Sequence, residues 1–202
     1  RARYGLTRLE ALPVGNRWHV AGAINPDFSA ATESFVPGSA ESERTLLVGE
    51  GDFSFGLSIA MAIEIGGRLV ATDYVVQERQ QVKLLPANRA SEERYVRDVQ
   101  ANIAKLTRMG VQVERQVDAT DPTSYPSGDF EKIVFNHPFV LTRDEEGGAP
   151  LGAERENRRL VEEFLTAAKQ KLREDGEIVM ISSKMRLARW RIDQVAARLG
   201  LE

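Results

Sequence analysis

The sequence predicts an α/β fold, a mostly parallel, doubly wound sheet with helices on both faces. Three observations predict it. Short apolar runs alternate with segments of helical periodicity from Thr45 to the end of the chain. Parallel neighbours need crossover connections, and helices are the usual crossovers. The first of these runs, LLVGEGDFSFGLSIA at 46–60, passes through a glycine turn into a helical pattern. The next run, LVATD, ends on an acid, Asp73. In open sheets of this kind ligands bind beyond the carboxyl ends of the strands.

The elements follow in order. TLLVGEG (45–51) reads as a buried strand. Phe55, Ile59 and Ile63, with Leu57 and Met61 beside them, recur at helical spacing until Gly66-Gly67 stops the helix. RLVATDY (68–74) is the second strand, and 78–85 a short helix that stops before Pro86. A longer helix covers about 92–109, with Tyr95, Val99, Ile103 and Leu106 as its apolar stripe and Gly110 just past its end. VQVERQVDAT (111–120) and FEKIVFNHP (130–138) are the third and fourth strands. Leu160, Val161, Phe164, Leu165, Ala168 and Leu172 line one side of a helix over 153–174. GEIVMISSK (176–184) is the fifth strand, and a last helix runs from about 186 to 199 before Gly200. The antiparallel pair that often completes this architecture has no counterpart after it.

Residues 1–43 differ. They are rich in turn formers and weak in periodicity, apart from NRWHVAGAI, which suits one short strand. They read as an N-terminal arm packed on the domain surface, or else as a lid over substrate. The domain proper spans 44–202.

Composition narrows the chemistry. The chain has 202 residues, 42% hydrophobic and 28% charged, enough for one domain with a substantial core. There is no Cys, so disulfides, thiolate metal sites and cysteine nucleophiles are excluded. The two His, His19 and His137, lie far apart, and no metal is expected. No apolar run is long enough for a membrane span, and RARYGLTRLE lacks the apolar core of a secretion signal. A cytoplasmic setting is expected. The net charge of −3 argues against binding nucleic acid by bulk charge, though a local basic patch escapes that test. KMRLARWR (184–191) gathers such a patch around Trp190; Arg143, Arg155, Arg158 and Arg159 could also meet an anionic substrate. Arginines on amphipathic helices equally serve as solvated surface.

The turn Gly49-Glu50-Gly51-Asp52 asks for a ligand of particular charge. Glycine allows a sharp turn and a close approach of ligand to backbone. A dinucleotide fingerprint reads G-x-G-x-x-G, with pyrophosphate on the helix end. Here Gly56 follows Gly51 by five residues, and Glu50 and Asp52 place negative charge where pyrophosphate would sit. The turn better suits a cationic, unphosphorylated tail, as on S-adenosylmethionine. A tight structural turn would give the same letters. Asp73 can accept both ribose hydroxyls of an adenosine, or cap the next helix. Asp118, in VDAT, can accept from an adenine amine, or cap a turn. The fourth strand ends Asn136-His137-Pro138-Phe139. An amide oxygen and a backbone carbonyl made rigid by proline can accept from a target N–H, and the aromatic ring can stack on a planar heterocycle. Together they would orient a nitrogen lone pair toward a methyl donor. His137 is either a base that takes the proton from an imide N–H or a packed strand-end side chain.

LLVGEGDFSFGLSIA resembles the signature of Rossmann-like methyltransferases related to the eukaryotic ribosomal-RNA uridine-N3 methyltransferases. The similarity extends through VDAT, FNHPF, RENRRLVEEFLTAAKQKL and GEIVMISS, over roughly 45–201. It implies a class I fold, S-adenosylmethionine as cofactor and methyl transfer to nitrogen. It also implies that Gly49, Glu50, Gly51, Asp52, Phe53 and Ser54 line the cofactor site. The family usually reads Asn-Phe-Pro-His at the fourth strand end, so His137 and Phe139 are exchanged here. That exchange, the acidic balance and the arm favour a small heteroaromatic acceptor, as in a specialised pathway, over a uridine in rRNA. An oxidoreductase or a non-catalytic module on the same fold are the rivals from other classes.

Overall fold

The structure is a computed structural model; it describes residues 17–21, 43–63, 68–74, 89–140, 151–182 and 184–201. The helix expected at 78–85, most of the N-terminal arm, and the loop carrying Arg143 lie outside the described residues.

Six strands form one sheet: β1 (Arg17–Ala21), β2 (Thr45–Val48), β3 (Leu69–Asp73), β4 (Gln112–Arg115), β5 (Phe130–Asn136) and β6 (Leu172–Ile181). Their order is β1-β6-β5-β2-β3-β4, and every neighbouring pair is parallel. Five described helices accompany them: α1 (Ser54–Ile63), α2 (Arg89–Arg108), α3 (Leu151–Lys171), α4 (Lys184–Trp190) and α5 (Ile192–Arg198). None of the described helices is long and apolar enough to cross a membrane.

Side chains alternate along each strand between two cores, which is why the central strands read as continuous apolar runs rather than as alternating ones. Leu47, Ala71, Val134 and Val179 pack with Phe55, Ile59, Val99 and Leu106 of α1 and α2. Leu46, Val48, Val70, Ile133, Phe135 and Met180 pack with Phe164 and Leu165 of α3 and with Trp190 and Val195 of α4 and α5. Phe135 meets Phe164 edge-on, ring centroids 4.7 Å apart.

The strand expected over 111–120 ends at Arg115, and three further departures from the expectation each have a physical reason. The strand in the arm joins the sheet beside β6, from Arg17↔Glu177 to Ala21↔Ile181. It extends that edge of the sheet in parallel. The helix expected to reach 174 ends at Lys171. Leu172 folds back on Gly176, where a Cβ would lie 2.7 Å from the Leu172 Cγ, and enters β6 opposite Phe130. The last helix is two helices, parted at Arg191, whose φ is 52°. Trp190 and Ile192 are both buried. In one continuous helix, positions i and i+2 face about 200° apart, so only a break can turn both inward.

Candidate functional site at the carboxyl edge of the sheet

The carboxyl ends of β6, β5, β2 and β3 stand side by side, and the glycine turn leaves β2 in their middle. Gly49, Gly51 and Phe53 all have left-handed backbone, with φ of 69°, 65° and 61°. At Gly49 the space of the absent side chain is already taken: a Cβ would lie 2.6 Å from the Phe135 ring. The Glu50 N–H donates to the Thr72 carbonyl at 2.9 Å, and the Thr72 hydroxyl donates to the Leu47 carbonyl at 2.9 Å, so β3 holds the turn. From α2, the Asn102 amide donates to the Asp52 carbonyl at 2.9 Å.

Both acids of the turn face the start of α1. Glu50 Oε2 accepts from the Gly56 N–H at 2.5 Å. Asp52 Oδ1 accepts from the Ser54 N–H at 2.9 Å and the Ser54 hydroxyl at 2.7 Å. The two carboxyl groups therefore occupy the helix end that binds phosphate in dinucleotide sites. Gly56 serves Glu50 rather than a ligand, since a Cβ there would lie 2.7 Å from Glu50 Oε2. Glu50 is buried, and its Oε1 has no hydrogen-bond partner among the described residues. Burial pushes its pKa up to about 8; Asp52 and Asp73 add to the rise and the Gly56 N–H opposes it. An orphaned, buried carboxyl oxygen among acids fits a cationic ligand and disfavours an anionic one. Ser54 is exposed at the helix start, whereas the Phe53 side chain lies wholly in the core and offers the site only its backbone.

Asp73, the last residue of β3, is buried, with Arg115 Nη2 of β4 at 3.7 Å. Asp118 holds a turn: its Oδ1 accepts from the Thr120 N–H at 2.8 Å and hydroxyl at 2.7 Å, and its N–H donates to Ser124 Oγ at 2.9 Å.

Across the turn from β2, Asn136 ends β5 opposite Ile181. The His137 N–H donates to the Ile181 carbonyl at 2.8 Å, with φ at 53°. His137 Nδ1 lies 2.7 Å from Asn136 Oδ1. An amide oxygen only accepts, so this contact places the proton on Nδ1 and leaves the Nε2 lone pair available. Desolvation and the positive charge of Arg186 lower the His137 pKa from its ordinary value, which keeps the ring neutral. The Asn136 oxygen expected to accept from substrate thus already serves His137. Pro138 is buried. Phe139 is 46% exposed, and the Arg186 guanidinium stacks on its ring at 4.7 Å.

The structure thus brings together the glycine turn, Asp73 and the Asn136–Phe139 turn. The basic patch is another matter. Trp190 is a core residue and not a stacking platform. Arg159 pairs with Glu163 at 2.7 Å, Arg189 lies 3.6 Å from Glu154, and Arg158 donates to the Arg189 carbonyl at 3.1 Å. Three residues escaped the sequence reading. Asn102 holds the Asp52 carbonyl, Asn157 holds Val140, and Ser182, fully buried just past β6, has a hydroxyl with no hydrogen-bond partner among the described residues. The only signal for the two asparagines is a polar residue beside an apolar helical stripe.

An all-parallel sheet of this order, with a glycine turn after β2 and an acid at the end of β3, is the arrangement of a class I methyltransferase domain. The ribosomal protein L11 methylase of Lactobacillus delbrueckii subsp. bulgaricus shares the fold, with a TM-score of 0.50 and 12% identity over 90% of this chain and 84% of that one. The model of the BMT5-like family, rRNA (uridine-N3-)-methyltransferases, matches residues 46–202, and the chain belongs to that family. Two Arabidopsis thaliana proteins are similar in sequence. One is heavy metal-associated isoprenylated plant protein 41, 27% identical over 88% of this chain. The other is the uncharacterized protein At4g26485, 29% identical over 73% of it. The chain spans 33% of the length of the first and 66% of the second.

Proposed function

We propose that the chain transfers a methyl group from S-adenosylmethionine to N3 of a uridine in RNA. The observation that carries this reading is the family match over 46–202, which includes both the acidic glycine turn and the Asn136–Phe139 turn. It reverses the preference for a small heteroaromatic acceptor. The acidic balance is a property of the whole chain, and the arm and loop thought to close over a small substrate lie mostly outside the described residues. The oxidoreductase reading is disfavoured by Glu50 and Asp52, which fill the helix end a pyrophosphate would need.

The bound cofactor would supply a methyl group on a sulfonium, with Gly49–Ser54 and Asp73 holding it and Asp118 closing the adenine side. The chain's own residues would do the rest. Phe139 stacks on the uracil ring, and Pro138 fixes the turn that carries it. Asn136 orients His137 and fixes its tautomer. His137 Nε2 takes the N3 proton, so that the nitrogen lone pair can form the bond to carbon as the carbon–sulfur bond breaks. An RNA acceptor extends the expected cytoplasmic setting to the nucleus.

The test is labelled-methyl transfer, with an rRNA fragment and free uracil-type heterocycles offered in competition. The RNA reading expects label in the RNA, falling with rising salt at roughly −0.7 per phosphate contacted on a single strand. Label in the free heterocycle, with no salt slope, would restore the small acceptor.

A further inference from the structure

We propose that Asn157 of α3 is a positioning residue for the acceptor side of the site, holding the Asn136–Phe139 turn in the conformation that presents His137. The inference rests on the reading of that turn as the acceptor site. The turn is fastened at both ends. At its entry the His137 N–H donates to the Ile181 carbonyl at 2.8 Å. At its exit the Val140 N–H donates to Asn157 Oδ1 at 2.7 Å, and Asn157 Nδ2 donates back to the Val140 carbonyl at 3.3 Å. Between the fastenings His137 sits in left-handed backbone, a conformation that non-glycine residues hold only when their surroundings impose it.

The side chain is chosen for this task and not for packing. Asn157 is 2% exposed and opens the apolar stripe of Leu160, Val161, Phe164 and Leu165. Leucine would suit the packing at that point. A carboxamide can accept from the N–H and donate to the C=O of one residue, as here with Val140, whereas an ionised aspartate accepts and does not donate. Asn157 acts on the reacting atoms through the turn. Released at its exit, His137 can relax toward ordinary backbone, carrying its ring away from Asn136 Oδ1 and Arg186, which now set its tautomer and charge.

The test compares Asn157→Leu and Asn157→Asp with Val161→Ala. Val161 is fully buried one turn along the same helix, so its truncation destabilises α3 while removing no hydrogen bond from the turn. The first readout is the His137 imidazole titration by NMR. The chain holds only one other His, so a His137→Gln spectrum assigns the signal. The second is single-turnover methyl transfer to RNA, with cofactor affinity measured by calorimetry. In Asn157→Leu the His137 titration is expected to move up toward an ordinary histidine and the transfer rate to fall tenfold or more, with cofactor affinity within twofold. Asn157→Asp is expected to fall between Asn157→Leu and the parent. Val161→Ala is expected to lower Tm but keep both the titration and the rate. An unmoved titration in both Asn157 variants, or the same loss in Val161→Ala, would overturn the proposal. Should the parent protein transfer no methyl to RNA, the functional reading fails, and the titration still decides the role of Asn157.

Discussion

Glu50→Gln should make the protein more stable as the pH rises, relative to its parent. In the folded chain the Glu50 carboxyl ionises only near pH 8, against 4.5 for the unperturbed group. Below about pH 4.5 the group is protonated in both folded and unfolded states, and its contribution to stability is fully present. Between about 4.5 and 8 the unfolded chain is ionised while the folded one keeps its proton. Stability is therefore lost with rising pH, by at most ~1.4 kcal/mol per pH unit. Glutamine keeps the acceptor for the Gly56 N–H and does not titrate. Its amide nitrogen occupies the place of Oε1, which has no partner among the described residues, at a cost of about 1–3 kcal/mol that does not depend on pH. The slope is thus the diagnostic quantity. Between pH 5 and 8 the stability of the variant minus that of the parent should rise by about 4 kcal/mol at most, or roughly 10 °C in Tm. Thermal and urea unfolding of both proteins at four or five pH values measures it. A difference that stays flat from pH 5 to 8 would mean that Glu50 ionises normally in the fold. The reading of Glu50 as a carboxyl held protonated by its burial would then fail.

Asp73→Ala should weaken S-adenosylmethionine binding by ~1.5–3 kcal/mol, as calorimetry would show; an unchanged affinity would leave Asp73 a structural role, beside Arg115. Gly49→Ala combines a φ of 69° with a Cβ 2.6 Å from the Phe135 ring. It should cost about 2–4 kcal/mol, and Phe135→Leu should recover part of that loss in a double-mutant cycle. His137 must be neutral to take a proton, and its pKa is lowered. Methyl transfer should therefore persist as the pH falls past ~6.5 and fail only below that value. His137→Gln should lower the rate by about 10²–10⁴-fold and abolish that acid limb; an unaltered pH profile would make His137 structural.

The sheet was readable because its central strands are buried on both faces. TLLV, LVATD and the centre of FEKIVFN are buried, and the helices between them carry apolar stripes. Where the structure departs from the periodicity, local packing decides. Trp190 and Ile192 are two residues apart and both buried, which no helical stripe allows, so the break at Arg191 could not be inferred. The short strand in NRWHVAGAI was legible, but its place beside β6 was not, since that is set by pairing with a strand more than 150 residues away. The acids of the glycine turn were visible as charge. Their engagement of the Gly56 and Ser54 N–H groups was not, because it depends on how the turn folds back on α1. Asn102 and Asn157 were hidden for the opposite reason. A polar residue beside an apolar stripe reads as solvent-facing until the backbone it holds is seen.

The central claim is that the Asn136–Phe139 turn delivers a uridine N3 to a methyl donor held at the glycine turn. Nucleoside mass spectrometry of an rRNA fragment, incubated with the protein and labelled S-adenosylmethionine, tests it most directly. The account predicts N3-methyluridine from the parent protein. It also predicts loss of that product in Asn136→Ala, with cofactor affinity unchanged. Label on ribose, on C5 or on another base, or full activity in Asn136→Ala, would contradict it.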